Sequence, residues 1–275
     1  MPASLRPLSF APITLLSTRQ LSPDVVHLTF ALQPHESLHS LSFDLGLGDF
    51  IRIKPPGVAR GRAYSPTSHQ STLGFFSITV KVYPSGAVSQ YLSNMKPHDT
   101  VPIAGPLPIP WLTKKLATGH TTTLVVALGI DITESLLCCQ SELLAGRTVK
   151  LLYSVKTESD LILLPELAVL MKQHPDTFTM HTTLTRAGGD RLGPALFLKL
   201  FASVLALPPA AVAVLVVGTK EMNRIVYGHL NELKLNKRLL GMAFRAPWGR
   251  RHSPLHENCV TSSTTSMTEN ETAGC

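Results

Sequence analysis

Two kinds of hydrophobic pattern divide the chain. In the first half, Phe76-Ser77-Ile78-Thr79-Val80-Lys81-Val82-Tyr83 alternates strictly between apolar and polar residues, the period of a half-buried strand. Pro84-Ser85-Gly86-Ala87-Val88-Ser89-Gln90-Tyr91-Leu92 follows as a turn opening a short helix, and Asp99-Thr100-Val101-Pro102-Ile103-Ala104-Gly105-Pro106 closes this run. In the second half the apolar runs become continuous. Thr123-Leu124-Val125-Val126-Ala127-Leu128 has the composition of a strand buried on both faces. The pattern then predicts a helix over 132–145 stopped by Gly146, a strand over 149–154, a mostly helical stretch over 158–172 around Pro165, and a strand over 178–184. An apolar helix over 194–205, a strand over 211–217, a helix over 220–233 and a short final strand over 242–244 complete it. Strand and helix alternating in this way predict an α/β doubly wound parallel sheet.

The chain has 275 residues, room for two domains with sizeable cores, and with 16% charged and 44% hydrophobic residues most of it should fold. Four cysteines in this length do not make a disulfide scaffold. No basic segment precedes an apolar stretch at the start, and the longest apolar runs, such as 211–218, suit buried strands better than a membrane span. The reading is a soluble, cytoplasmic protein, in which the sequon Asn270-Glu271-Thr272 has no consequence. The residues from 246 to 275 lack apolar periodicity, contain Thr261-Ser262-Ser263-Thr264-Thr265-Ser266, and read as a disordered tail. The net charge of +7 is scattered, with no basic stripe interleaved with aromatics, so nucleic acid is not an expected partner.

The most informative segment is Arg62-Ala63-Tyr64-Ser65-Pro66-Thr67-Ser68. A planar Arg fork can clamp a pyrophosphate. Tyr64 lies on the same strand face, where its ring can pack on a flavin, and Ser65 can hydrogen-bond the flavin edge. Backbone N–H groups and Ser89 at the start of the short helix suit a phosphate. Residues 49 to about 108 resemble the ferredoxin–NADP reductase superfamily, most closely its NADH–cytochrome b5 reductase branch. Gly48-Asp49-Phe50-Ile51 is similar to that family's G-Q-F/H-I, Arg62-Ala63-Tyr64-Ser65 to its R-x-Y-S/T, and Val80-Lys81-Val82-Tyr83 to its I-K-x-Y/F. Gly86-Ala87-Val88-Ser89 is similar to its G-x-x-S, and Gly105-Pro106 to its G-P-x-G, with Pro108 at the last Gly. The resemblance implies an antiparallel β-barrel of six strands that holds FAD, over residues 1–118. The cofactor-binding residues it implies are Arg62, Ala63, Tyr64, Ser65, Val80, Lys81, Tyr83, Gly86, Ala87, Val88 and Ser89, joined by Thr133. Ser65 and Thr133 would contact the flavin ring, and Arg62 and Ser89 the phosphates.

The resemblance continues into a nucleotide domain over 119–245. Leu151-Leu152-Tyr153-Ser154, Asp160-Leu161-Ile162-Leu163 and Glu166-Leu167 are similar to the family's L-L-Y-x-N…D-I-L-x-x-E-L, and Val214-Leu215-Val216-Val217-Gly218-Thr219-Lys220-Glu221-Met222 to its V-L-x-C-G-P-x-x-M. Where the family's first strand here runs into G-G-T-G-I-T-P, this chain has Leu128-Gly129-Ile130-Asp131-Ile132-Thr133-Glu134. One of three glycines survives, and glycine there lets backbone approach a pyrophosphate. Asp131 reads as the N-cap of a near capping box with Glu134. The family's Cys and Pro in C-G-P are Val217 and Thr219.

Other chemistry is weaker. Cys138-Cys139 on an apolar helix read as core, the eleven His are dispersed, and no metal site is expected. Arg186 ends the third strand, where a basic residue could touch a nucleotide phosphate, although a solvated strand end is the preferred reading. Trp248 reads as a loose aromatic in the tail.

Two functions follow. One is an FAD oxidoreductase that takes a hydride from NADH or NADPH and passes electrons to a haem protein or small acceptor. Residues 1–119 carry ten Lys/Arg against five Asp/Glu, enough to steer an acidic electron-transfer protein, although the preferred reading of that surplus is solubility and cationic groups that hold FAD. The other is a non-redox isomerase or cyclase that keeps FAD and binds an apolar small molecule in a cleft lined by Leu128, Ile130 and Val217. A non-catalytic relic is a third possibility. The reductase is preferred.

Overall fold

The computed structural model describes residues 4–6, 9–41, 49–107, 119–186, 192–234 and the backbone of 239–244. The expected tail over 246–275, Trp248, Gly48 and Pro108 lie outside the described residues.

Short alternating segments build the first half. They form β1 (Ala11–Ser22), β2 (Val25–Ala31), α1 (Leu38–Leu41), β3 (Phe50–Ile53), β4 (Arg62–Tyr64), β5 (Phe75–Lys81), α2 (Ala87–Asn94) and β6 (Thr100–Leu107). The strands pair antiparallel in the order β4-β3-β6-β1-β2-β5, and an isolated antiparallel bridge between Pro66 and Ile78 joins the two edges into a barrel. Side chains from every second position fill it, among them Leu28, Phe30, Ile51, Ile53, Phe76, Ile78, Val80, Val101 and Ile103. Phe30 and Phe76 are cross-strand partners, with ring centroids 5.5 Å apart.

The alternation in β5 predicts a strand wet on one face. Instead, Ser77 and Thr79 are buried as well. They are satisfied sideways, across the sheet. Ser77 Oγ lies 3.0 Å from Thr29 Oγ1, and Thr79 Oγ1 lies 3.0 Å from His27 Nδ1 and 3.3 Å from Thr67 Oγ1. Paired hydroxyls can be buried at little net cost, so polarity there does not report water.

His27 makes this wall pH-sensitive. Burial, helped by the positive charge of Arg19 and opposed by Glu166, holds its pKa below the ordinary value of 6.5. The folded protein therefore binds fewer protons than the unfolded chain once the pH drops below that value. Stability present above about pH 6.5 should be lost as the pH falls further. Urea midpoints measured at pH 7.5 and 5.5 should show this loss, and His27→Gln should flatten it. An equal slope in the variant would assign the loss to other groups.

Continuous apolar runs build the second half. They form β7 (Thr122–Leu128), α3 (Ile132–Leu144), β8 (Thr148–Val155), α4 (Leu164–Gln173), β9 (Phe178–Leu184), α5 (Pro194–Leu205), β10 (Val212–Gly218), α6 (Lys220–Glu232) and β11 (Leu239–Phe244). The five strands are parallel, in the order β11-β10-β7-β8-β9. Strand geometry sends Val125 and Ala127 to a core with α3 and α4, and Leu124, Val126 and Leu128 to a core with α5 and α6. The order reverses between β7 and β10, the switch point at which such sheets bind ligands beyond their carboxyl edge.

One expected helix is broken. Residues 158–172 split into a 3-10 turn over Glu158–Asp160 and α4, with Leu163 between them at φ 59°. Pro165 has no N–H to give and its ring would strike the carbonyl four residues back, so a helix cannot enter from 158 and must start afresh. The cysteines behave as expected of core: Cys138 and Cys139 are free and buried, and burial pushes both thiols up, which keeps them protonated and inert.

Candidate functional site

The barrel contributes a rim made by β4, β5 and the start of α2. Arg62 opens β4 opposite Ile53, and Tyr64 ends it opposite Ile51. The Arg62 side chain is exposed and its guanidinium has no hydrogen-bond or ion-pair partner among the described residues. Tyr64 and Ser65 are half-buried, and the Tyr64 ring packs partly on the barrel core. The isolated Pro66–Ile78 bridge ties the segment after β4 to β5, the strand that leads through the turn at 83–86 into α2.

That turn is locked by Ser89. Its hydroxyl donates to the Gly86 carbonyl at 3.0 Å and accepts from the Tyr83 N–H at 3.2 Å, while the Gly86 N–H donates to the Tyr83 carbonyl at 2.9 Å. A Cβ on Gly86 would stand 2.4 Å from the Ser89 oxygen and 3.1 Å from Tyr83 Cβ, so only glycine leaves the turn intact. Because Ser89 serves the turn, α2 begins with no side-chain cap and no acidic residue in its first turn. Its first N–H groups are left for a ligand. The Ser89 hydroxyl is committed to the turn, so what Ser89 leaves open to a ligand is its backbone N–H. The side chains of Val80 and Val88 are barrel core and likewise offer only backbone, whereas Ala87 and Tyr83 are exposed. Lys81 is held by Asp24 at 2.7 Å. An exposed guanidinium on β4 and the uncapped amides of α2, on the same rim of the barrel, are groups that fit the diphosphate of a dinucleotide such as FAD.

Lys81 and Val25 also belong to a second feature, a cleft of about 90 Å³ where the barrel meets the carboxyl edge of the parallel sheet. Its other walls include Gly129, Ile130, Ser154, Lys156, Asp160, Ile162, Thr185 and Met222. Gly129 sits at φ 64°, with nothing within 4 Å of where a Cβ would be, and keeps this mouth open. Tyr153, wholly buried, pins one wall: its hydroxyl lies 3.3 Å from the Asp160 carbonyl, to which it donates, and 3.3 Å from the Ile162 N–H, from which it accepts. Burial raises the Tyr153 pKa, so the hydroxyl stays protonated. Asp160 accepts from the Thr157 N–H at 3.0 Å and Oγ1 at 2.8 Å, and the Thr157 hydroxyl leads in holding its carboxyl below the usual range.

The three residues expected to line an apolar cleft do not come together. Ile130 reaches the cleft, but Leu128 and Val217 are 2% and 1% exposed. Leu128 is one strand position before Gly129 and alternation turns it into the opposite core, with α5 and α6. There it fills the switch point: a Cβ on Gly218 would meet Leu128 Cδ1 at 2.6 Å. Asp131 also departs from expectation. It has helical backbone angles, φ −72° and ψ 0°, and makes no side-chain cap. A 3-10 turn over Gly129–Asp131 winds the chain before α3 begins, and an N-cap needs an extended residue. Thr133 is buried in the first turn of α3.

The sequence reading also missed residues. Lys156 lies just past the end of β8, a position no local pattern marks. The Arg186 N–H donates to the Lys156 carbonyl at 2.9 Å, which sets two cations side by side. Among the described residues no group of His, Cys, Asp and Glu could hold a metal ion, and no helix is long and apolar enough to cross a membrane.

Residues 12–108 match the family described as oxidoreductase FAD-binding domain. The NADH-cytochrome b5 reductase 1 of Mycosarcoma maydis is 27% identical over 242 residues, covering 85% of this chain and 72% of that protein. The NADH nitrate reductase of Ulva prolifera is 31% identical over 195 residues, 61% of this chain but 22% of that much longer protein, so the chain spans about a fifth of its length. The solved cytochrome b5 reductase domain of that nitrate reductase superposes with a TM-score of 0.70 at 24% identity, covering 89% of this chain and all of that one.

Proposed function

We propose that the chain, whose residues 12–108 match the oxidoreductase FAD-binding domain family and whose fold is that of the solved cytochrome b5 reductase domain, is an FAD-dependent reductase that draws electrons from a reduced nicotinamide dinucleotide and passes them to a haem protein or small acceptor. One observation carries the reading: Lys81 belongs both to the barrel rim that fits the flavin diphosphate and to the cleft at the carboxyl edge of the parallel sheet. Bound flavin supplies the chemistry, accepting a hydride and releasing electrons onward. The chain's own residues do the holding. Arg62 and the α2 amides grip the diphosphate, Tyr64 packs beside the ring, and Ser65 and Thr133 offer it hydroxyls. The surplus of positive charge in residues 1–119 serves solubility and the grip on FAD, and is compatible with an acidic electron-transfer protein as acceptor.

The reading of a non-redox enzyme for an apolar ligand loses its ground, because Leu128 and Val217 are core and line no cleft. The test is a visible spectrum of the purified protein, before and after anaerobic NADH or NADPH. A yellow protein bleached by a nicotinamide is expected. A yellow protein that dithionite bleaches and neither nicotinamide does would overturn the reductase.

A further inference from the structure

One wall of the barrel is apolar where an antiparallel sheet is ordinarily polar. Side chains that alternate with the core positions of such a strand face out, toward water. In β6 the residues that follow the core positions Val101 and Ile103 are Pro102 and Ala104, and in β1 Pro12, which pairs with Pro102, precedes the core residue Ile13. Phe10, just before β1, is 42% exposed. The loop that leaves β3 continues this wall: Pro55, Pro56, Val58 and Ala59 line, with Phe10 and Pro102, an open groove of about 510 Å³. Exposed apolar surface of this kind, rimmed by charge, marks an interaction site. We infer that this wall docks on the surface of an anionic phospholipid bilayer. The inference does not rest on the reductase reading.

The charge around the groove has one sign. Lys54 and Arg60, both exposed, bracket the loop, and Arg52 takes an outward position of β3 between the core residues Ile51 and Ile53. The Gly105 N–H donates to the Arg6 carbonyl at 3.0 Å and brings that exposed cation to β6. Loop 54–61, β3, β6 and residues 11–14 contain no acidic residue. Of the flanking acids, Asp49 is buried and Asp99 accepts from the Lys96 N–H at 2.7 Å. An anionic bilayer supplies the missing charge, and its headgroup boundary takes the carbon between the cations. The backbone suits that boundary. Pro12, Pro55, Pro56 and Pro102 have no N–H to strand, the Lys54 N–H donates to the Pro102 carbonyl at 3.0 Å, and the Val58 N–H donates to the Pro55 carbonyl at 3.2 Å. A protein strand added here would find no run of donors to pair with. A second copy of the chain would bring the same four cations together across a twofold axis. β6 lies three strands from β5 in either direction around the barrel, so the docked chain keeps the Lys81 cleft turned away from the lipid.

The test is sedimentation of the FAD-loaded full chain with lipid vesicles. Vesicles of phosphatidylcholine and phosphatidylserine in equal parts should carry the protein down, pure phosphatidylcholine vesicles should bind about tenfold more weakly, and added salt should release it. Lys54→Ala with Arg60→Ala should weaken binding to the mixed vesicles about 25-fold, from about fivefold per cation at a charged surface. Phe10→Ser should weaken it about fivefold without changing the salt dependence. Lys172→Ala with Lys220→Ala removes the same charge from exposed positions of the other domain, and should change binding less than about twofold. All variants should keep the flavin spectrum of the parent. An equal loss in the two double variants would overturn the inference, leaving only the general attraction of a net charge of +7. No loss in Phe10→Ser, or equal binding to both kinds of vesicle, would overturn it too. No binding to either would leave the wall to a protein partner.

Discussion

Glu142→Ala should cost the folded protein about 3–5 kcal/mol, the cost of stripping one partner from a buried charged network. Glu142 ends α3 and is wholly buried. Its Oε1 accepts from Arg147 Nη1 at 2.6 Å, and its Oε2 takes His120 Nε2 at 2.7 Å and the Thr123 hydroxyl. Thr123 and His120 stand at the amino end of β7, and Arg147 in the turn before β8, so one carboxylate ties helix, strand and turn together. Removing it leaves a small cavity beside Arg147, and His120 and Thr123, 3.0 Å apart, keep only each other of this network. Glu142→Gln keeps the shape and one carbonyl, and should cost much less, about 1–2 kcal/mol. Against a total stability of roughly 5–15 kcal/mol the alanine variant would be marginal. Urea unfolding followed by far-UV circular dichroism reads the difference. The network lies at the edge of the sheet opposite the cleft, so flavin content per folded molecule should not change. A midpoint equal to that of the parent would refute the role given to this carboxylate.

That network also shows where sequence reading stops. His120 and Glu142 are 22 residues apart, and only the packing of α3 along β7 brings them together. Nothing periodic marks either one. Elements with a strong local signal were legible: the strand Phe178–Leu184 and the helix Pro194–Leu205 have the limits that hydrophobic pattern and terminal proline set. The barrel was legible through motif spacing, because the tight Gly86 turn and the Arg62 strand are local solutions that fix residue type. Leu128 was legible as strand but not in its consequence. Whether a leucine beside Gly129 enters the cleft or the core depends on which face of β7 it occupies, and in a strand buried on both faces composition does not say. Ser77 and Thr79 misled for the converse reason, since their partners Thr29, His27 and Thr67 lie on other strands or past the end of β4.

Arg62→Ala should weaken FAD binding by about 100-fold, which follows from losing roughly 3 kcal/mol of charge-assisted hydrogen bonding to a diphosphate. The expectation rests on the rim as it stands. The guanidinium has no partner to lose within the described protein, so its removal breaks no internal bond and should leave the fold intact. The α2 amides remain in the variant, held by the Ser89–Gly86–Tyr83 turn, and should keep weak binding rather than none. Arg62→Lys retains the charge but not the fork, and should recover only part of the loss. The measurement is the flavin-to-protein absorbance ratio after gel filtration, followed by fluorescence titration of the apoprotein with FAD. Full flavin occupancy in Arg62→Ala with unchanged affinity would place the diphosphate elsewhere. Loss of flavin together with loss of secondary structure would instead make Arg62 a structural residue. Loss of flavin with an unchanged circular dichroism spectrum is the outcome that ties β4 and the start of α2 to one ligand.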